Sequence, residues 1–360
     1  MNSTASRSPV SRTSRPRRLA LTALAAAATL VLAGCVQGDG LGDGAPPEGD
    51  GDGGGGTIRI AYLATGSSLP LFLMAEKYAD EVGIDVEMLE VSSGNDSITG
   101  VATGQYEAGF AGIGSASYNA FAEGLPVRYV APMHMGYVED YFILSSQVAG
   151  SFEEAATVAE DLSDYAGETF AVNGPGVVTE AVLAFALERG GLSIDDVNVE
   201  HIPFPDQVPA LANGGIVGGV LSEPFPTQAE NNGAGYRPWE TPDTPPIPFT
   251  GILFNTDWAD DNPELATDFM RAYAMAAEEL DTGGWDTPEM LELIEEYTGA
   301  DPEIVAQTRQ HHIHADLSID LEQVLELQNF YMERGSLNYD EIIPEEDIWD
   351  FTWRDAALGS

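Results

Sequence analysis

Residues 58–76 read IRIAYLATGSSLPLFLMAE. Ile58 to Leu63 is a short β-branched and aromatic run that predicts a strand. Gly66-Ser67-Ser68 interrupts it with turn formers. Leu69 to Asp80 then predicts a helix, with Pro70 in the first turn, where a missing N–H is tolerated. Ile84 to Met88 alternates apolar and polar side chains, as a half-buried edge strand does. Strand, turn, helix and strand in such close order describe an α/β domain with a parallel sheet.

The same alternation continues downstream. A loop at Ser92–Asn95 leads into a helix ending near Thr103. Strands are expected at Tyr106–Ala111 and Val127–Met133, with a helix at Ser115–Ala122 between them. After a crossover strand at Tyr141–Ser146 the pattern restarts. Helices Phe152–Leu162, Val177–Arg189 and Pro224–Asn231 and a helical turn at Asp206–Ala212 alternate with strands Thr169–Val172, Val197–Ile202 and Ile216–Leu221. This is a second, smaller α/β unit. Five prolines between Pro238 and Pro248 end it. A strand at Gly251–Asn255 follows, and the tail is helical. Apolar positions 265, 269, 273, 276 and 280 form one stripe behind Pro263. Further helices fit Pro288–Tyr297, Pro302–His311 and Leu321–Glu333. With no sheet of its own, the tail is expected to pack back on the first unit.

Upstream of the first strand, Arg15, Arg17 and Arg18 precede an apolar run from Leu19 to Ala33, and Leu32-Ala33-Gly34-Cys35 closes it. A basic region, an apolar region and small residues before a cut site make an export signal. The cysteine after the small residues resembles a bacterial lipobox. In that motif the thiol is acylated and becomes the first residue of the mature chain. Residues 1–34 are thus expected to be a lipoprotein signal peptide. Arg17-Arg18 resembles a twin-arginine signal and Ala20 departs from it, so two export routes fit. Residues 35–56 form the acylated cysteine and a Gly/Asp-rich linker spanning ~25 Å r.m.s.. An EF-hand does not fit this linker, because the closing glutamate is absent.

Fifty-nine acidic residues face fourteen basic ones, for a formal charge of −45. Five of the arginines leave with the signal, making the mature chain more negative still. Lys77 is the sole lysine. Phosphate backbones need clustered Lys and Arg, so nucleic acid is excluded as a partner. Hydrophobic residues make up 44% of the chain, which favours folding over charge-driven disorder. Such acidity suits an organism adapted to high salt or high pH. With Cys35 as the sole cysteine there is no intrachain disulfide.

Ligands of open parallel sheets bind beyond the carboxyl ends of the strands. Gly66-Ser67-Ser68, Ser93-Gly94-Asn95, Gly114-Ser115 and Asn173-Gly174-Pro175-Gly176 all stand there. Each offers hydroxyl or amide groups beside unpaired helix N–H groups. Taken singly, each is explained as an N-cap or a turn. Their recurrence in both units points to a cleft that cradles a small polar molecule.

These residues resemble the substrate-binding proteins of ABC importers, in the branch serving nitrate, sulfonates, taurine and thiamine-pyrimidine precursors. The resemblance is carried by Ile58 to Tyr62, by Gly66 to Glu76, by Gly83-Ile84-Asp85-Val86 and by Ala102 to Gly109. Asn173 to Gly176, Ala210 to Gly214 and Ser222-Glu223-Pro224-Phe225 continue it in order, through about Tyr339. It implies a two-lobed type II periplasmic-binding-protein fold with the helical C-terminal tail packed on lobe one. Lobe one would be residues 57–143 plus 251–360 and lobe two residues 144–250, with crossovers near Leu144–Gln147 and Pro248–Leu253. The implied partners are a small-molecule ligand, an ABC permease and its ATPase, and the cell membrane through the lipid on Cys35. The protein is expected to act as a monomer outside the cytoplasm, without a cofactor.

Carried over by position, the ligand shell is Ser67, Ser68, Asn95, Gly114, Ser115, Asn173, Gly174, Pro175, Gly176 and Glu223. Tyr137 and Tyr141 are candidates to stack on a flat ligand, or are core aromatics. Glu223 either accepts from a ligand amine or caps the following helix. None of these loops carries Arg, Lys or His. His134, at the rim end of its strand, is the nearest basic candidate. A neutral or amine-bearing heterocycle such as a pyrimidine therefore weighs equally with a sulfonate.

Catalysis has few residues to use. Lys77 lacks a P-loop context, Cys35 is spent on lipid, and Gly112-Ile113-Gly114-Ser115-Ala116 is not a hydrolase elbow. An enzyme of the same fold, acting on a thiamine-pyrimidine-like precursor, is the alternative. His311, His312 and His314 could hold zinc or nickel, but on a helix their spacing spreads them over different faces, so no metal is expected.

Overall fold

The computed structural model describes residues 56–240, 242–243 and 246–359. Cys35, the signal peptide and the linker lie outside the described residues. Two five-stranded sheets organise the chain. The first has the order β2-β1-β3-β10-β4, from β1 (Ile58–Tyr62), β2 (Val86–Glu90), β3 (Ala108–Gly112), β4 (Val127–Gly136) and β10 (Ile247–Asn255). The second has the order β7-β6-β8-β5-β9, from β5 (Phe142–Ser145), β6 (Thr169–Val172), β7 (Asn198–His201), β8 (Gly218–Val220) and β9 (Gly235–Tyr236).

The opening stretch folds as its pattern dictates. Ile58 and Ile60 of β1 are fully buried, while Arg59 between them turns outward to pair with Glu107 at 2.5 Å. The helix begins at Leu69–Leu73, passes through a π turn at Met74–Tyr78 and ends at Ala79–Val82. Gly83 terminates it with φ of +79°, a left-handed conformation that costs glycine little. β2 is an edge strand, parallel to β1 with Ile58 opposite Val86.

Neither sheet is purely parallel. β10 runs antiparallel to β3 and β4, and β5 runs antiparallel to β8 and β9. Each is the strand by which the chain returns after passing between sheets. The first passage lies between Gly136 and Phe142, since Phe142 already pairs with Val220. The second lies between Tyr236 and Ile247, since Ile247 already pairs with Gly136. Both stand a few residues upstream of the expected crossovers. The apolar Phe142 and Ile143 continue without a break into Leu144, so composition offered no boundary there.

The tail covers the first sheet. The Pro263–Gly283 helix buries Phe269, Met270, Tyr273, Ala276 and Leu280 against β1, β3 and β10. Each large side chain there contributes roughly 1.5–3 kcal/mol. The Leu321–Glu333 helix packs on the Ser115–Ala122 helix and β10, and the Tyr118 hydroxyl donates to the Val324 carbonyl at 2.9 Å. The tail also reaches the second sheet's helices: Arg334 pairs with Glu180 and Asp195, and Phe330 meets Phe185.

The expected Pro302–His311 helix stops at Val305. Residues 309–313 are extended, and His312 bridges antiparallel to Met135 of β4. His311 is consequently buried while His312 and His314 face outward, and no group of three metal-ligating side chains occurs among the described residues. No described helix is long and apolar enough to cross a membrane.

Candidate functional site

The C-terminal ends of β1, β2 and β3 face those of β6 and β8 across a cleft, and the rims touch. The Gly66 amide donates to the Glu223 carbonyl at 3.1 Å, and the Ala116 amide donates to the Gly176 carbonyl at 3.0 Å. The Asn95 side-chain amide donates to the Pro175 carbonyl at 3.1 Å. The N-terminus of the Ser115–Ala122 helix, expected to face a ligand, thus takes a carbonyl from the opposite rim. Glycine is required on this seam. A Cβ on Gly114 would stand 2.3 Å from the Gly176 oxygen, and one on Gly112 would stand 2.7 Å from Val178 Cγ1.

Behind the seam lies a partly open space of about 50 Å³. Its polar wall is Thr65, Ser67 and Thr250 from the first sheet's side, with Asn173, Thr179 and Ser222 from the second's. Phe110, Phe204 and Phe249 supply aromatic surface. No charged side chain lines it. Most of the hydroxyls are already directed. Thr65 Oγ1 and Ser67 Oγ share a hydrogen bond of 2.7 Å. Thr179 Oγ1 donates to Asn173 Oδ1 at 2.7 Å. Thr250 Oγ1 lies 2.7 Å from His134 Nδ1. Ser222 Oγ is buried without a protein partner, which leaves it able to meet a ligand group. Fifty cubic ångströms is less than a benzene-sized cavity, so a larger ligand needs the space to widen.

Of the thirteen residues expected to bind ligand, Ser67 and Asn173 line this space. Asn95, Gly114, Ser115, Pro175 and Gly176 form the seam instead. Gly174 is buried within the same loop. Ser68 is fully buried and donates to the Leu63 carbonyl, a turn role. Tyr137 contacts His312 edge-on. Tyr141 stacks on Phe249 with centroids 4.2 Å apart and sits behind the space rather than in it. The Glu223 carboxylate caps the next helix at the Thr227 amide and pairs with Arg237 Nη1 at 2.6 Å, so it is engaged away from the cleft. Burial lowers the Arg237 pKa, but hydrogen bonds and charge from Glu230 and Glu223 outweigh this and raise it overall.

His134 meets Thr250 one layer back from the space. Its ring lies 4.7 Å from that of His311, and Nε2 of both is without a partner. Burial, with neighbouring histidines adding to it, pushes His134 well below its ordinary value and His311 to about 3. Both rings are neutral at pH 7.

Thr65, Thr179, Ser222, Thr250 and the three phenylalanines were not foreseen as lining. Thr65 and Ser222 adjoin residues already singled out. Thr250 and Phe249 lie on β10, whose antiparallel direction puts them outside a rule about parallel strand ends.

The model of the NMT1-like family matches residues 54–294. No curated protein sequence matches the chain significantly. Among solved structures, the chain is similar to the ligand-binding component of an ABC-type import system from Staphylococcus aureus with zinc bound. That match has 13% identity and a TM-score of 0.69, covering 84% of this chain and 98% of that one. It is similar to the periplasmic nitrate-binding protein NrtA from Synechocystis PCC 6803, with 17% identity and a TM-score of 0.67, covering 84% and 88%. It is also similar to the alkanesulfonate-binding protein SsuA from Xanthomonas axonopodis pv. citri bound to MOPS, with 16% identity and a TM-score of 0.61, covering 81% and 98%. The shared architecture is the two-sheet periplasmic-binding-protein fold.

Proposed function

The chain belongs to the NMT1-like family, and from that membership we propose that it is the extracytoplasmic solute-binding component of an ABC importer. It captures a small molecule between two lobes and presents it to a permease and its ATPase. Lobe one is built on the first sheet and lobe two on the second, with the passages around Glu139 and Trp239 as hinges. Cys35 is its lipid anchor, the Gly/Asp linker its tether, and it works as a monomer.

The observation that carries this reading is the cleft itself: rims from both sheets meet over a largely apolar space, dotted with hydroxyls and one amide, that no titratable side chain lines. Such a lining supports binding rather than catalysis, because no general acid or base lines the space directly. It also supports an uncharged ligand. An anion would meet no cation on the wall and would enter against a formal charge of −45. Hydroxyls, one amide and three phenyl rings suit a flat, neutral, hydrogen-bonding molecule of the pyrimidine kind.

A thermal-shift panel in molar salt tests both levels. Aminopyrimidines are expected to raise the melting temperature, with ~2.7 kcal/mol of added stability at 100 times Kd. A shift by nitrate, taurine or alkanesulfonates alone would overturn the neutral-ligand reading. No shift across the panel would overturn binding in this cleft.

A further inference from the structure

We propose that Arg309 is a positioning residue that holds both hinge passages at once and so stabilises the arrangement in which the rims meet. The inference rests on the two-lobe reading, though not on any particular ligand.

Arg309 sits on the extended segment that replaces the expected helix. Val305 before it and Ile313 after it are both buried in the core of the first sheet, and His312 is fastened to Met135 by a 2.8 Å backbone bond. Its position is therefore fixed from lobe one. From there the guanidinium reaches both passages. Arg309 Nη1 donates to the Glu139 carbonyl at 2.8 Å and lies 3.3 Å from Asp140 Oδ1. Arg309 Nη2 donates to the Trp239 carbonyl at 2.7 Å. Glu139 and Asp140 belong to the first passage and Trp239 to the second.

A planar fork with several fixed donors can tie two separate chain segments in one plane, which an ammonium cannot. The backbone of the same residue reaches lobe two, because the Arg309 amide donates to Glu223 Oε1 at 3.1 Å. Glu223 is the residue whose carbonyl receives the Gly66 amide across the seam. Rotating the lobes apart moves the two passages relative to each other and draws Glu223 away from the segment. Opening therefore strains or breaks the Arg309 contacts together with the seam.

Hydrogen exchange on the whole mature chain tests this without a ligand. The reporters are the seam amides of Gly66 and Ala116, with amides of β1 and β3 as references for the lobe core. In Arg309→Gln the seam amides are expected to exchange at least tenfold faster, while the reference amides keep their rates. Arg309→Lys is expected to recover only part of the protection. Unchanged seam exchange in Arg309→Gln would overturn the proposal. A rise shared equally by β1 and β3 would overturn it too, because Arg309 would then stabilise the fold at large. Full recovery in Arg309→Lys would overturn the two-passage fork. None of these outcomes bears on whether the cleft binds a pyrimidine, which the thermal-shift panel decides separately.

Discussion

Gly114→Ala is the sharpest perturbation of closure. Gly114 has φ of −126° and ψ of 173°, extended backbone that alanine adopts without strain. Within its own lobe the added methyl group replaces a favourable glycine N-cap by a poor one, a cost of about 1 kcal/mol to that helix alone. Across the seam it would stand 2.3 Å from the Gly176 oxygen and 2.9 Å from Val177 Cα, so the rims must separate by about 1 Å to restore van der Waals contact. Gly176 O is the acceptor of the Ala116 amide, and the Asn95–Pro175 bond lies one residue away. Each such bond contributes a net ~0.5–1.5 kcal/mol, so the closed arrangement loses about 1–3 kcal/mol. That corresponds to an affinity roughly 5- to 150-fold weaker for a ligand that needs closure. Titration calorimetry with a ligand from the panel measures it, and small-angle scattering should show a larger radius of gyration. A variant with unchanged affinity and unchanged radius would refute the seam as the closing contact.

Other perturbations address the wall, the buried histidines and the charge. Ser222→Ala removes the unpartnered hydroxyl on the cavity wall. It should leave thermal stability within ~0.5 kcal/mol and weaken ligand binding about tenfold, read by calorimetry; equal binding would remove Ser222 from the site. His311, held at about 3 by burial, binds its proton more readily in the unfolded chain. Its contribution to stability is thus complete above pH 6.5 and is lost as pH falls towards 3, on the order of 4 kcal/mol in total. Denaturation series across that range should show the slope, and His311→Phe should flatten it; the groups facing the ring are His134, Tyr141 and Trp285, and His312 follows it in the chain. Raising NaCl from low to molar concentration should raise the melting temperature by screening the acidic surface; a flat response would rule out salt adaptation.

The architecture was legible because it rests on periodicity. Thr169–Val172 is the same strand in sequence and structure, and the helix expected over Leu69–Asp80 behind Pro70 forms and runs to Val82. What escaped depends on contacts between distant segments. β10 begins at Ile247 rather than Gly251, because pairing with β4 extends a strand through prolines that read as a linker. The helix expected over 302–311 ends early, because Met135 offers His312 a strand edge and Glu139, Asp140 and Trp239 offer Arg309 its acceptors. No local propensity encodes those partners.

The site divides along the same line. Ser67 and Asn173 line the space and both occupy strand-to-helix turns, the position a sequence pattern can point to. Gly114 and Gly176 stand in equivalent turns yet meet the opposite rim, and only that rim decides which contact a turn makes. Glu223 shows why residue type misleads at such a position. A carboxylate at the rim suggests a ligand amine, but Arg237, buried beside it, takes the charge. With Glu223 paired to Arg237 away from the space, both histidines neutral and no charged side chain on the wall, the cleft offers a ligand almost no direct charge. Selectivity must then come from shape and from the unpartnered Ser222 hydroxyl, and affinity from the free energy of bringing the two rims together.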